Sequence, residues 1–278
     1  MRGALRRQAT EYSPGLSRHV FERVVSIAAD PVVKAAVEDN HDENRWWPTA
    51  ISDWRLRMAV AGWGTRVSYH MIDTYAQVVA VVAMLSWERL TALPDRQIAG
   101  IVRPLGLRDT RIGYLRSLAD FLANLDRCGV DPLAMNVDDL IMRIARDVKY
   151  AGYNIAQCAT LYSRGYHCGV IPVDSGMVTK LAPFLGIRLD HGAIAHEQLR
   201  MLLEACVHDR GDAYRDLAYE LGYQVTIPQG VHPSWWLHLV LVYFKRLYLN
   251  RPGRQLCAKR PACDRVFRCG CAPDDFPF

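Results

Sequence analysis

An all-α fold is what this sequence predicts, and three observations predict it. Apolar residues recur at helical spacing along most of the chain. The strict alternation that makes a half-buried strand is almost absent, and short clusters of turn-forming residues divide the apolar blocks. The result is roughly ten helices joined by short turns. Of 278 residues, half are hydrophobic and 23% are charged, the composition of a folded globular protein, able to bury one large core or two modest ones.

The elements follow in order. Val20, Val24, Val25 and Ala28 mark the apolar face of an early helix, and Asp42 to Pro48 breaks the pattern. Ser52 or Asp53 caps the helix that opens at Trp54, because a short oxygen-bearing side chain there accepts an otherwise unpaired N–H. After Leu93-Pro94-Asp95, Asp95 is expected to cap the helix beginning Arg96-Gln97-Ile98. Pro104-Leu105-Gly106 punctuates again, and Ile112, Leu115, Leu118, Ala119 and Leu122 form the next apolar stripe. Cys128 to Pro132 makes a turn. Gln229 to Pro233 precedes Trp235-Trp236-Leu237-His238, which is expected to pack the final helix against the first.

The net charge of +5 and a pI near 8.8 are mildly basic, so they suit a polyanionic partner without requiring one. No apolar run follows the N-terminal MRGALRRQAT, and no stretch reaches about 18 uninterrupted apolar residues. A cytoplasmic protein without a membrane partner is therefore expected. That compartment keeps thiols reduced, which argues against a disulfide framework for the eight cysteines. Cys128, Cys158, Cys168 and Cys206 stand singly among apolar neighbours and are expected as small buried side chains. His191, His196 and His208 near Cys206 are expected on a solvated or internally satisfied helical face.

Cys257, Cys263, Cys269 and Cys271 instead crowd together, interleaved with Arg251, Arg254, Lys259, Arg260, Arg265 and Arg268. Four thiols so close form a ligand set, and an all-cysteine shell serves iron–sulfur clusters and structural zinc alike. Their spacing leaves a cluster, zinc or no metal open.

Three stretches, taken in order, resemble a known family. Ile101-Val102-Arg103-Pro104-Leu105-Gly106-Leu107, then Thr110-Arg111 and a helix from Ile112 to Leu125, is similar to the segment I-x-P-x-G-x-x-x-x-K-A-x-x-L of the helix-hairpin-helix DNA glycosylases of the endonuclease III-like group. Arg111 stands where that family often has lysine. Ile144 to Tyr162 resembles the family's hairpin and the helix leaving it. Val170-Ile171-Pro172-Val173-Asp174-Ser175-Gly176-Met177-Val178 resembles its V-D-T-x-V-x-R segment, which carries the catalytic aspartate.

The resemblance implies a two-lobed all-α fold, with residues 54–169 as a six-helix lobe holding the hairpin. Residues 1–53 and 170–278 would form the second lobe, ending in a metal-binding cysteine loop at 257–271. It implies a monomer that lays double-stranded DNA across a cleft, with the hairpin near Gly152 and Asp174 at its mouth. The hairpin itself departs from the family's L-P-G-V-G-x-K-T-A: this chain reads Val148-Lys149-Tyr150-Ala151-Gly152-Tyr153-Asn154-Ile155-Ala156. Gly152 keeps the second glycine, and Tyr150 replaces the first. Asn154 occupies the place of the lysine that attacks the sugar in lyase-competent members. An amide lacks a basic amine, so the departure implies hydrolysis without strand-nicking lyase activity.

By the same resemblance Asp174 is the catalytic carboxylate; by residue type alone it reads as a helix cap. Trp63 falls where the family offers a side chain to the DNA stack, and it could also be a core tryptophan on an apolar helix. Tyr150 and Tyr153 either meet DNA or pack the turn, and Lys149 is placed to meet phosphate. The tail is similar to the family's [4Fe–4S] loop, C-x6-C-x2-C-x5-C, but reads Cys257-x5-Cys263-x5-Cys269-x-Cys271, with Lys259 and Arg260 available to DNA. The function so implied is release of a damaged, mismatched or modified base, as in base excision repair. The alternatives are a catalytically inactive DNA-binding relative, or a glycosylase of modified foreign DNA or of a nucleoside.

Overall fold

The computed structural model describes residues 14–64 and 66–250. No strand occurs among the described residues. The principal helices are α1 (Pro14–Ala28), α2 (Pro31–His41), α3 (Trp54–Trp63), α4 (Ile72–Ala83), α5 (Trp87–Ala92), α6 (Asp95–Val102), α7 (Arg108–Arg127), α8 (Val137–Asp147), α9 (Tyr153–Arg164), α10 (Ile194–Glu220) and α11 (Ser234–Phe244). The chain divides into two compact units, one drawn from Met1–Glu43 and Ile171–Phe278, the other from Asn44–Val170. Among the described residues no helix is long and apolar enough to cross a membrane.

In the Asn44–Val170 unit, α3 is the central element. Leu56, Met58, Ala59, Val60, Ala61 and Trp63 are all buried, and α7 and α9 pack against them. Of the two candidate caps, Asp53 fills the role, accepting the Arg55 N–H at 2.9 Å. Gly62 permits the closest approach of α7, since a Cβ there would lie 2.1 Å from the Tyr114 ring. Tyr114 then donates its hydroxyl to the Met58 carbonyl at 2.8 Å.

Arg111 lies on the buried stripe of α7 with Leu115, Leu118 and Leu122. Its guanidinium donates to the carbonyls of Trp63 (2.5 Å), Leu105 (2.9 Å) and Gly106 (2.9 Å). These carbonyls end α3 and the turn before α7, so one planar cation satisfies acceptors that the helix ends leave orphaned.

Two expectations are corrected in this unit. Asp95 does not cap α6, whose N-cap position is Pro94; it is the first helical residue, and its carboxylate binds Arg116 instead. Cys128 is exposed just past the end of α7, and Cys158 and Cys168 are half-buried, so the buried reading holds only for Cys206 in the other unit.

In the unit drawn from Met1–Glu43 and Ile171–Phe278, α10 packs on α1, while α11 packs on α1 and more extensively on α2. Trp236 is fully buried, and the Trp235 indole N–H donates to the His41 carbonyl at 3.0 Å. Trp235 to Leu237 are thus core, as expected, and His238 is half-buried. Asp30 caps α2 by accepting from the N–H groups of Val32 and Val33. Within α10, Arg200 is completely buried between Glu197 and Glu204. Glu204 also accepts the Ile171 N–H at 2.9 Å, tying the long helix to the segment that leads to Asp174.

Candidate functional site

Asp174 follows a run of buried residues, Val170, Ile171, Pro172 and Val173, and opens a helical turn. Its Oδ1 accepts the Met177 N–H at 2.8 Å, the N-cap interaction that its residue type allows. Its Oδ2 is bound by the ammonium of Lys245. The aspartate side chain keeps 41% of its surface exposed, whereas that of Lys245 keeps 3%. The carboxylate is therefore gripped from the interior and open on its other side.

Two π-helical turns build this grip. Met177–Leu181 begins three residues beyond Asp174, Lys245–Leu249 begins at the lysine, and the two turns touch. A π turn widens the helix by one residue and is frequent at functional sites. Gly176 leaves space for the lysine: a Cβ there would sit 3.1 Å from Lys245 Cδ and 3.3 Å from Asp174 Oδ1.

Burial alone would raise the Asp174 pKa. The opposing charge and hydrogen bond of Lys245, the Met177 N–H and the charge of Arg246 together outweigh it and hold the carboxyl below its ordinary value. Burial pushes the Lys245 amine down, against the pull of Asp174 and with the repulsion of Arg246 and Lys180. At neutral pH the site presents an ionised carboxylate.

The hairpin segment lies in the other unit. There α8 ends at Asp147, and Val148 to Gly152 turn the chain into α9. Tyr150 takes φ 65°, the left-handed region that glycine occupies most easily. The resemblance aligns this position with the first glycine of the glycosylase hairpin, and here a tyrosine makes the left-handed bend. Its ring rests over Gly113, where a Cβ would come within 2.6 Å of it. Tyr150 remains 58% exposed.

Gly152 is the N-cap of α9, exposed, with φ −73° and ψ 175° and open space where a Cβ would stand. It brings no side chain to cap the first N–H groups of α9. Lys149 is exposed and fixed by its own N–H to Ser117 Oγ at 2.9 Å, while Tyr153 and Asn154 are half-buried in the first turn of α9.

Trp63 is placed differently from the DNA-stacking reading. Its side chain is fully buried, and its indole N–H donates to the Arg111 carbonyl at 3.0 Å. An indole enclosed and hydrogen-bonded in this way cannot reach a base stack without dismantling the end of α3, so Trp63 is a core residue.

Cys257, Cys263, Cys269 and Cys271, with Lys259 and Arg260, lie outside the described residues. Among the described residues no group of three metal-binding side chains occurs. His191 is exposed, His196 approaches Ser175 Oγ at 3.4 Å, and His208 pairs its ring with His232. Lys245 is the site residue that sequence reasoning missed. A signal was present: it interrupts the apolar run Leu237-His238-Leu239-Val240-Leu241-Val242-Tyr243-Phe244 at a position that continues the buried face.

No protein-family model matches the chain, and no curated protein sequence matches it.

Proposed function

We propose that this protein is a monofunctional DNA N-glycosylase, one that flips a damaged, mismatched or modified base out of duplex DNA and releases it by hydrolysis. The observation that carries the reading is the ionised, half-exposed Asp174, anchored by Lys245 and the Met177 N–H in the segment that resembles the family's catalytic one. Cleavage of an N-glycosidic bond develops positive charge on the sugar, as in other glycoside cleavages. A fixed carboxylate near that charge lowers the barrier electrostatically and orients the attacking water. The base must leave the stack to reach such a group.

The hairpin supports the DNA-binding half of the reading. Its left-handed bend at Tyr150 and the exposed Gly152 at the N-cap of α9 bring a helix N-terminus to the surface, where the helix dipole favours a phosphate oxygen. Lys149 and Tyr150 are exposed beside it. Asn154 offers no amine for covalent attack, which supports hydrolysis without a lyase step.

The two lobes implied by the resemblance belong to the same proposal, as does the monomeric state. The four cysteines at 257–271 are proposed to hold a [4Fe–4S] cluster, with zinc as the alternative. Either metal would order a basic loop whose phosphate affinity declines with salt. Purified protein is expected to carry a broad visible absorbance and about four irons per chain by elemental analysis. Colourless protein with one zinc would replace the cluster by the alternative.

The decisive measurement is mass spectrometry of bases freed from a panel of differently modified duplexes. One base released in excess of a no-enzyme control is the expected outcome, with the abasic strand left intact. Tight duplex binding with no base released from any member of the panel would leave an inactive DNA-binding relative in place of the enzyme.

A further inference from the structure

A lysine with 3% of its side chain exposed, set against a carboxylate with 41% exposed, is an asymmetric pair that stability alone explains poorly. Desolvating an ammonium is expensive, and a well-packed apolar residue in its place is often as stable or more so. The position could have been filled by methionine within the apolar run that precedes it. The chain instead widens two helices into touching π turns and keeps a glycine at 176, and together these let the amine reach Asp174 from the core side.

Two cations act on this carboxylate, Lys245 and Arg246, both from the turn that follows α11; Lys180, from the turn that follows Asp174, acts on Lys245. His238, on α11, is driven down to about 3 by burial and by the neighbouring cations, so it is neutral at physiological pH. His196, on α10, meets the adjoining Ser175. Nucleic acid arriving on the exposed side would remove water from Asp174 and bring phosphate charge near it. Both effects favour protonation of a carboxylate. A catalyst that depends on the charged form needs a counterweight that the substrate does not displace, and a cation on the buried side is one.

We propose that Lys245 is the positioning residue of this site, an ammonium that keeps Asp174 oriented and charged while nucleic acid covers its open face. The assignment rests on the glycosylase reading for its purpose, but its physical content is separable from it. Lys245 acts through Asp174 and is enclosed by protein, so it touches neither base nor sugar.

The test is a carboxyl-carbon NMR titration of Asp174 in the full-length protein, assigned with Asp174→Asn. It compares wild type, Lys245→Met and Lys245→Arg, each free and bound to a duplex carrying a tetrahydrofuran abasic-site analogue. In Lys245→Met the Asp174 midpoint is expected to rise by about 1–3 pH units, more when the duplex is bound. The acid limb of the base-release rate should rise with it, and kcat should fall more than KM changes. Lys245→Arg, which keeps the charge, should restore most of the wild-type midpoint.

A midpoint in Lys245→Met within about half a unit of wild type would overturn the assignment and leave Lys245 a packing residue. If Lys245→Met does not fold, the wild-type titration still decides: an Asp174 that titrates at or above the usual carboxylate range overturns the proposal, and one well below it supports it. Failure of the enzymatic reading would appear separately, as no base release from any duplex, while the titration would still report on the pair.

Discussion

Asp174→Asn is expected to slow base release by about a hundredfold to a thousandfold while leaving duplex affinity unchanged or slightly higher. The substitution is chosen for what it preserves. Asparagine is as good an N-cap as aspartate, so its amide oxygen can still accept the Met177 N–H, and the turn that begins there keeps its partner. What disappears is the negative charge. If Asp174 were only a cap, base release would continue at the wild-type rate, and that result would remove the catalytic assignment. One side effect is foreseeable: Lys245 loses its counter-charge, and since burial already depresses its pKa, it is expected to shed its proton rather than remain an isolated buried cation. Circular dichroism and thermal melting should therefore show a folded, moderately less stable protein. With the aspartate's charge and the lysine's both gone the net charge of the pair is unchanged, and the more exposed of the two lost charges is the negative one, so a marked drop in duplex affinity would point to a structural lesion.

The helices were legible because burial imposes a period on the sequence, and that period survives without any knowledge of partners. In the stripe Ile112, Leu115, Leu118, Ala119, Leu122, all but the half-buried Ala119 are buried on α7 as their spacing predicts, and Trp235 to Leu237 form core. The same stripe contains Arg111, and nothing local announces that a charged residue there will be buried. The three carbonyls that receive it come from α3 and from the turn before α7, and they are set by folding.

Asp95 failed as a cap for a related reason, since Arg116, 21 residues on, competes for its carboxylate. Cys128 is exposed although its neighbours are apolar, because they belong to the buried side of α7 and it falls just beyond the helix end. The cap that Asp174 makes is legible in its residue type and its place before a helical turn, while Lys245 stands 71 residues away in sequence and is joined to it only by the packing of two π turns. Tyr150 looked like a lost glycine. The left-handed backbone that the glycine would have supplied is nevertheless present there, a fact about φ that residue identity does not encode.

Arg200→Met should be the most destabilising single change in α10, at about 3–5 kcal/mol, which corresponds to roughly 10 °C in melting temperature. Arg200 has no exposed side-chain surface, and its guanidinium binds Glu197 at 2.6 and 3.0 Å and Glu204 at 2.5 Å. Methionine fits the volume but withdraws the cation that faces both carboxylates. The loss should depend on pH, because Glu204 can relieve it by taking a proton. Burial already pushes Glu204 up to about 7 in the native protein from an ordinary 4.5, despite the pull of Arg200 and the Ile171 N–H.

Between those two values the folded chain binds more protons than the unfolded one, so this group makes wild-type stability fall as pH rises from about 5 to 7 and level off above that. Without Arg200 the folded pKa climbs further, and the decline should extend to higher pH. Urea denaturation at pH 5 and pH 8 is the check: the gap between wild type and Arg200→Met should be larger at pH 8, and adding Glu204→Gln should narrow it. Equal stability of wild type and variant at pH 8 would mean that the two carboxylates are hydrated after all. Because Glu204 also holds the Ile171 N–H, three residues before Asp174, base release by Arg200→Met should weaken at alkaline pH before the protein as a whole unfolds.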